Sequence, residues 1–167
     1  GNVGFYTEFL PQDLELIIQL LEEEAEEILY PLIETNIKGK IHYSLNEVVF
    51  SVAHRLFEAK ILIDENHLMD IRSDGLCIST PSGSTAYNKS LKGAIVDPSL
   101  EMMQLVVMAP FETLDYRVVS PLILNKDKKI TILPKNSYFD VSFDRSFISY
   151  QDIEKITVKL SYKRAKF

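Results

Sequence analysis

The sequence predicts a mainly β protein: a multi-stranded β-sandwich or layered sheet with one N-terminal α-helix. Three observations predict it. First, aromatic and β-branched residues dominate short runs, with 8 Tyr and 9 Phe but no Trp, a composition that fits pleated, half-buried strands. Second, turn-forming residues interrupt those runs at short intervals, which favours a sandwich over βαβ units. Third, only one segment repeats its apolar residues with a helical period.

That segment comes first. Leu14, Ile17, Ile18, Leu21, Ala25 and Ile28 follow the i, i+3, i+4, i+7 spacing of one buried helix face. Pro11 suits a first helical turn, where the missing N–H costs nothing, and Pro31 stops the helix. Glu22, Glu23, Glu24, Glu26 and Glu27 read as a solvated face. Residues 1–30 thus form a turn and a helix, and residues 31–167 a β-rich domain. Strands are expected near 32–36, 40–45, 47–53, 56–63, 66–72, 75–80, 104–109, 115–120, 128–133, 138–143, 146–150 and 154–162. Asp144-Arg145 reads as a tight hairpin, and Ile156, Val158 and Leu160 alternate with polar residues as a half-buried strand requires.

Bulk properties exclude several classes. The 167 residues carry a net charge of −6, and the basic tail Lys163-Arg164 with Lys166 is too short to make a nucleic-acid groove. No apolar run reaches the roughly 18 residues needed to span a bilayer, so no membrane partner is expected. A single cysteine, Cys77, forbids an internal disulfide and suits a cytoplasmic location. It reads as a small core residue, and Met102, Met103 and Met108 as core or interface filling. His42, His54 and His67 lack metal-ligand spacing, so no metal site is expected on this chain. Ser82 and Ser84 lack the G-x-S-x-G frame of a hydrolase nucleophile.

One stretch breaks the strand rhythm. After the turn Asp74-Gly75 and the strand Leu76–Ser79, residues Thr80 to Gly93 are small and hydroxyl-rich. Pro81–Thr85 turns, and Ala86–Ser90 opens a helix capped by Ser84 or Thr85. The unpaired N–H groups of such a helix start favour acceptor atoms of a ligand, and Gly83 would let a ligand approach the backbone. On chemistry alone a capped strand-to-helix loop explains the stretch as well.

The run Asp74-Gly75-Leu76-Cys77-Ile78-Ser79-Thr80-Pro81-Ser82-Gly83-Ser84-Thr85-Ala86-Tyr87 resembles the signature D-G-[apolar]3-S-T-P-[ST]-G-[ST]-T-A-Y of NAD kinases. Three further segments are similar to the family pattern in the expected order: Gly1–Tyr6, Leu45-Asn46-Glu47 and Ser120–Leu124. Phe5-Tyr6 and Tyr87–Ser90 look most like the enzymes of Gram-positive bacteria.

The resemblance implies the C-terminal, NAD-binding domain of an enzyme that phosphorylates the adenosine 2′-hydroxyl of NAD with ATP or polyphosphate to give NADP. It implies that Asn46 and Glu47 touch the adenosine, with Ser82, Thr85 and Ala86 against the adenine. It places Tyr87, Asn88, Lys89 and Ser90 around the same pocket, and Phe5 and Tyr6 near a ribose. Arg72 and Asp74 would sit near the second nucleotide, reaching it from a neighbouring subunit, with Ala109 at the nicotinamide end and Arg145 at a variable ligand-facing position. A homotetramer is implied, for which an apolar strand such as Leu105–Met108 could supply interface. A divalent metal such as Mg would bind with the phosphate donor, mostly outside this chain.

Some residues depart from the pattern. Ser73 stands where glycine is frequent, and Pro110 follows Ala109. The family's catalytic Gly-Gly-Asp-Gly-Thr loop, part of an α/β domain on which residues 1–30 would pack, has no counterpart here. No catalytic residue is therefore expected on this chain, nor turnover by it alone. Two other readings stand beside this one: a non-catalytic dinucleotide-binding or assembly module, and a relative of the lipid kinases.

Overall fold

The computed structural model describes residues 28–114 and 117–166, together with Gln12, Leu14, Glu15 and Ile18. Its strands are β1 (Leu29–Ile37), β2 (Lys40–Ser44), β3 (Glu47–Ser51), β4 (Phe57–Ile63), β5 (Asn66–Ser73), β6 (Gly75–Ser79), β7 (Met102–Met108), β8 (Leu122–Asn125), β9 (Lys129–Pro134), β10 (Tyr138–Phe143), β11 (Ser146–Gln151) and β12 (Ile156–Lys166). They form two six-stranded sheets, ordered β2-β1-β12-β9-β4-β5 and β11-β10-β3-β6-β7-β8. Every pairing is antiparallel. The mainly β, two-layered fold that the sequence predicts is the one observed.

Alternation explains the layering. Ile33 and Ile37 of β1, Val158 and Leu160 of β12, and Phe139 and Val141 of β10 are buried at every second position, the period of a strand with one face on a core. That core lies between the sheets. Phe57 of the first sheet packs between Phe50 and Phe139 of the second, at ring separations of 6.3 and 5.9 Å. The middle strands β6 and β7 are buried on both faces. Leu76, Ile78 and Leu105 face the core, while Cys77, Ser79 and Gln104 face away from it and are still fully buried. The 80–96 connection closes over that outer face. The Gln104 side-chain amide accepts from the Ala94 N–H at 2.7 Å and donates to its carbonyl at 3.0 Å.

Three expectations need correction. No strand occupies the described part of 115–120; the strand begins at Leu122. The Ser120 hydroxyl occupies the Val107 N–H at 2.8 Å in place of a backbone partner, and Pro121 has no N–H to offer a ladder. Leu14, Glu15 and Ile18 are helical, as expected, with Leu14 and Ile18 exposed; Ile17, Leu21 and Ala25 of the expected face lie outside the described residues. Pro31 does not separate helix from sheet, because β1 already runs from Leu29 through it, with a register shift between Pro31 and Ile33. Finally, Leu105, Val106 and Val107 are buried within this chain, with Met108 half-buried, and offer no exposed stripe for a second subunit.

Candidate functional site

Strand register brings the first pieces of the site together. Glu47 opens β3 opposite Ser79, the last residue of β6, and Ser79 lies opposite Gln104 of β7. The Leu45-Asn46 turn thus abuts the start of the 80–90 loop. Thr80 donates its N–H to the Asn46 carbonyl at 2.9 Å and its hydroxyl to the Leu45 carbonyl at 2.6 Å. Its Oγ1 also receives the Gly83 N–H at 3.0 Å.

Gly83 is held by its own chain. A Cβ there would lie 2.0 Å from the Asn46 carbonyl oxygen. The space expected for a ligand is filled by the Asn46 backbone, and the motif glycine exists so that two loops can touch. From Ser82 to Thr85 the chain makes a 3-10 turn, and Tyr87–Ser90 forms a single α-helical turn. No side chain caps that helix, contrary to the role expected of Ser84 or Thr85. The Ser84 hydroxyl instead pairs with the N–H and carbonyl of Val96, at 3.0 and 3.3 Å. The Thr85 hydroxyl donates to the Ser82 carbonyl at 3.4 Å.

The Glu47 carboxylate lies near enough to the Tyr87 N–H, at the start of that turn, to feel its pull. Here the separated segments meet. Glu47 is 8% exposed, and its Oε2 is buried without a hydrogen-bond partner. Burial, then the Asp144 charge, push its carboxyl up to about 7, against the pull of the Tyr87 N–H. Burial first, then the charges of Cys77, Asp74 and Glu47, raise the Tyr87 phenol as well. The Cys77 thiol below rises to about 12 through burial and the Glu47 charge, so it is an inert core group.

Around this centre, Asn46, Thr85 and Ala86 are half-buried, and Tyr87, Lys89 and Ser90 are exposed. Ser82 and Asn88 are buried. Asn88 uses its amide nitrogen inside the loop, donating to the Ser84 and Ala94 carbonyls at 3.2 Å each, and Gly93 gives it room. Arg145, exposed on the β10–β11 hairpin, shares a cleft of about 630 Å³ with His42, Tyr43, Asn46 and Asp144. His42 itself stacks on Phe143 at 4.2 Å and pairs with the Tyr150 hydroxyl at 3.0 Å, a structural placement.

Of Arg72, Asp74 and Ala109, only Asp74 is felt in this cluster, through its charge on the Tyr87 phenol. The three lie at the Gly75–Met108 end of the sheet, separated from Ser79 by the length of β6, roughly 13 Å at strand rise. Arg72 pairs with Glu58 at 3.3 Å and lies over the Phe111 ring. Asp74 is exposed beside His54 and Arg55, and exposed Ala109 has a φ of +40°. Phe5 and Tyr6 lie outside the described residues. Among the described residues, no group of three or more His, Cys, Asp or Glu is placed to hold a metal ion.

Asp144 went unmarked in the sequence beyond its hairpin. Its carboxylate accepts the N–H groups of Leu45, Asn46 and Glu47 at 2.9, 2.8 and 3.2 Å. The only sequence signal was an acidic residue at a left-handed turn position, with φ +50°, which any hairpin aspartate shares.

The chain is a two-layered β domain whose hydroxyl-rich loop is built against an Asn-Glu turn, and comparison with known proteins gives the family. The ATP-NAD kinase C-terminal domain matches residues 45–167. NAD kinase 1 of Listeria innocua is 36% identical over the whole chain, which spans 67% of that relative. NAD kinase of Lactobacillus delbrueckii subsp. bulgaricus is also 36% identical, with 66% of it spanned. Yeast NADH kinase, solved with NADH, superposes on 99% of this chain with a TM-score of 0.82 at 25% identity, and the match covers 51% of the yeast chain. An Archaeoglobus fulgidus NAD kinase, solved with ATP, shares the fold over 94% of this chain (TM-score 0.79, 24% identity, 61% of that chain). The chain belongs to the NAD kinase family and is its C-terminal domain.

Proposed function

We propose that the protein to which this chain belongs phosphorylates the adenosine 2′-hydroxyl of NAD, with ATP or polyphosphate as donor, and that this chain supplies the NAD-binding half. One observation carries the reading: in a member of this family, the Asn46-Glu47 turn and the 80–87 loop are built into one unit through the Thr80 bonds to the Leu45 and Asn46 carbonyls and the Gly83–Asn46 contact. An amide offers both donor and acceptor to a base edge, and an ionised carboxylate accepts from ribose hydroxyls. Asn46, Thr85 and Ala86 border the adenine, Glu47 and Tyr87 the ribose, and Ser90 and Arg145 the rim. Ser82, Asn88 and Lys89 brace the loop.

Phosphoryl transfer depends on positioning and charge neutralisation more than on covalent chemistry of the protein. These residues hold the nucleoside so that its 2′-hydroxyl meets a catalytic aspartate that is not in this sequence. A divalent metal such as Mg would bind with the phosphate donor, mostly outside this chain, and would neutralise charge on the transferred phosphoryl group. Arg72 and Ala109 fit a site completed across a subunit boundary, since they stand at the far end of the sheet from the adenosine cluster in one chain; Asp74, at that end, is near enough to act on the Tyr87 phenol. A cytoplasmic homotetramer is the assembly we propose. Exposed Phe147, Ile123 and Tyr138 on the second sheet support an interface there, and no described helix is long and apolar enough to cross a membrane.

Asn46→Ala and Tyr87→Ala are each expected to weaken NAD binding by about 1–3 kcal/mol through lost polar contacts. Calorimetry on the intact protein checks this, alongside NADP formation with each phosphate donor. Unchanged affinity in both variants removes the pocket assignment.

A further inference from the structure

Asp144 reaches the site from a different hairpin, and the bonds it makes are unlike those of the other site residues. Its carboxylate's hydrogen bonds there go to the backbone. Three consecutive N–H groups, from Leu45 to Glu47, point at its two carboxylate oxygens within 2.8–3.2 Å. Its own N–H returns to the Glu47 carbonyl at 3.1 Å. Consecutive N–H groups aimed at one point make a concave anion site, and this one is filled from within. On the opposite side Thr80 ties down the Leu45 and Asn46 carbonyls. The turn is gripped on both sides, so its side-chain directions are set by the grip.

We infer that Asp144 is a positioning residue for the adenosine site: by holding the Leu45–Glu47 turn through three backbone N–H groups, it fixes where Asn46 and Glu47 point. The inference rests on the reading of that cluster as the NAD site. An ionised carboxylate is all acceptor, whereas an asparagine would present a donor to one of these donors. Charge-assisted bonds of this kind are the stronger sort. The same charge faces Glu47, together with the Tyr87 phenol and the Cys77 thiol. Removing it should lower the pH at which Glu47 takes its proton.

Asp144→Asn in the intact protein is the test. Amide exchange at 45–47 should accelerate, and the Kd for NAD should rise about tenfold or more, the equivalent of one lost charged hydrogen bond. The Glu47 carboxyl titration, followed by carbon NMR, should move to lower pH. Unchanged exchange at 45–47 overturns the inference, as does unchanged NAD affinity. Exchange accelerated across both sheets with the Glu47 midpoint unmoved reduces Asp144 to a fold residue and overturns it too. A wild-type protein that does not bind NAD sinks the function reading itself, an outcome distinguishable from a loss confined to the variant.

Discussion

The two faces of the second sheet solve opposite problems. Its inner face carries Phe50, Leu76, Ile78 and Leu105 into an apolar core. Its outer face carries Glu47, Ser79 and Gln104 side by side across three strands, all buried under a loop. The inner face is held by area and shape alone. The outer face must find a partner for each buried polar atom, and it leaves two open, Glu47 Oε2 and Ser79 Oγ. Buried groups without partners are costly, so these two lower stability unless something else completes them. A ligand whose hydroxyls complete the set is what the proposed function supplies.

The comparison can be broken most forcefully at the inner face. Phe57 is fully buried between Phe50 and Phe139. Phe57→Ala should cost about 3–5 kcal/mol, the range for losing a core aromatic. Denaturant unfolding reads the cost. NAD affinity per folded molecule should be nearly unchanged, because the ring lies on the far side of the sheet from the Glu47–Tyr87 contact. A large affinity loss in the folded fraction would mean the two faces are not separable.

Gly83→Ala sharpens it from the other side. The added methyl meets backbone, 2.0 Å from the Asn46 oxygen, and backbone cannot swing aside as a long side chain can. Overpacking typically costs about 1–3 kcal/mol. Here the displaced atoms belong to Asn46 itself, so NAD binding should fall by more than the loss of stability accounts for. Equal losses in both would place Gly83 with ordinary packing residues.

How much of this was legible in sequence differs between the faces for the same reason. The inner face is periodic. Ile156, Val158 and Leu160 announce their strand by alternation, and all three are buried as expected. Even there, the 115–120 stretch misled, because its apolar residues mimic a strand while the Ser120 hydroxyl takes the ladder position. The outer face has no period. Its parts come from residues 45–47, 79–96, 104 and 144, and only the family motif links the first two. The motif named Gly83 and Ser84 but not their tasks, which are to touch Asn46 and Val96. It omitted Asp144, whose role depends on a contact across roughly 100 positions of chain, a separation no local pattern can encode.

The smallest effect discriminates most finely, and it concerns Glu47 alone. Its carboxyl titrates near 7 in the folded chain against an ordinary 4.5, so the folded state holds that proton more tightly than the unfolded one. The associated stability is fully present below pH 4.5 and is lost as pH rises through about 7. Asp64, Glu65 and Asp70, held low by lysine partners, act with the opposite sign and in a more acidic window. Glu47→Gln should therefore flatten the stability profile between pH 4.5 and 7 and leave the acid limb below 4 as it was. Ligand binding should show the mirror image. If ribose hydroxyls donate to the ionised carboxylate, NAD affinity in the wild type falls as pH drops through 7, and in Glu47→Gln it is weaker but flat. Parallel pH profiles for the two proteins, in stability and in binding alike, would show that the open oxygen of Glu47 faces neither a proton nor a ligand that matters.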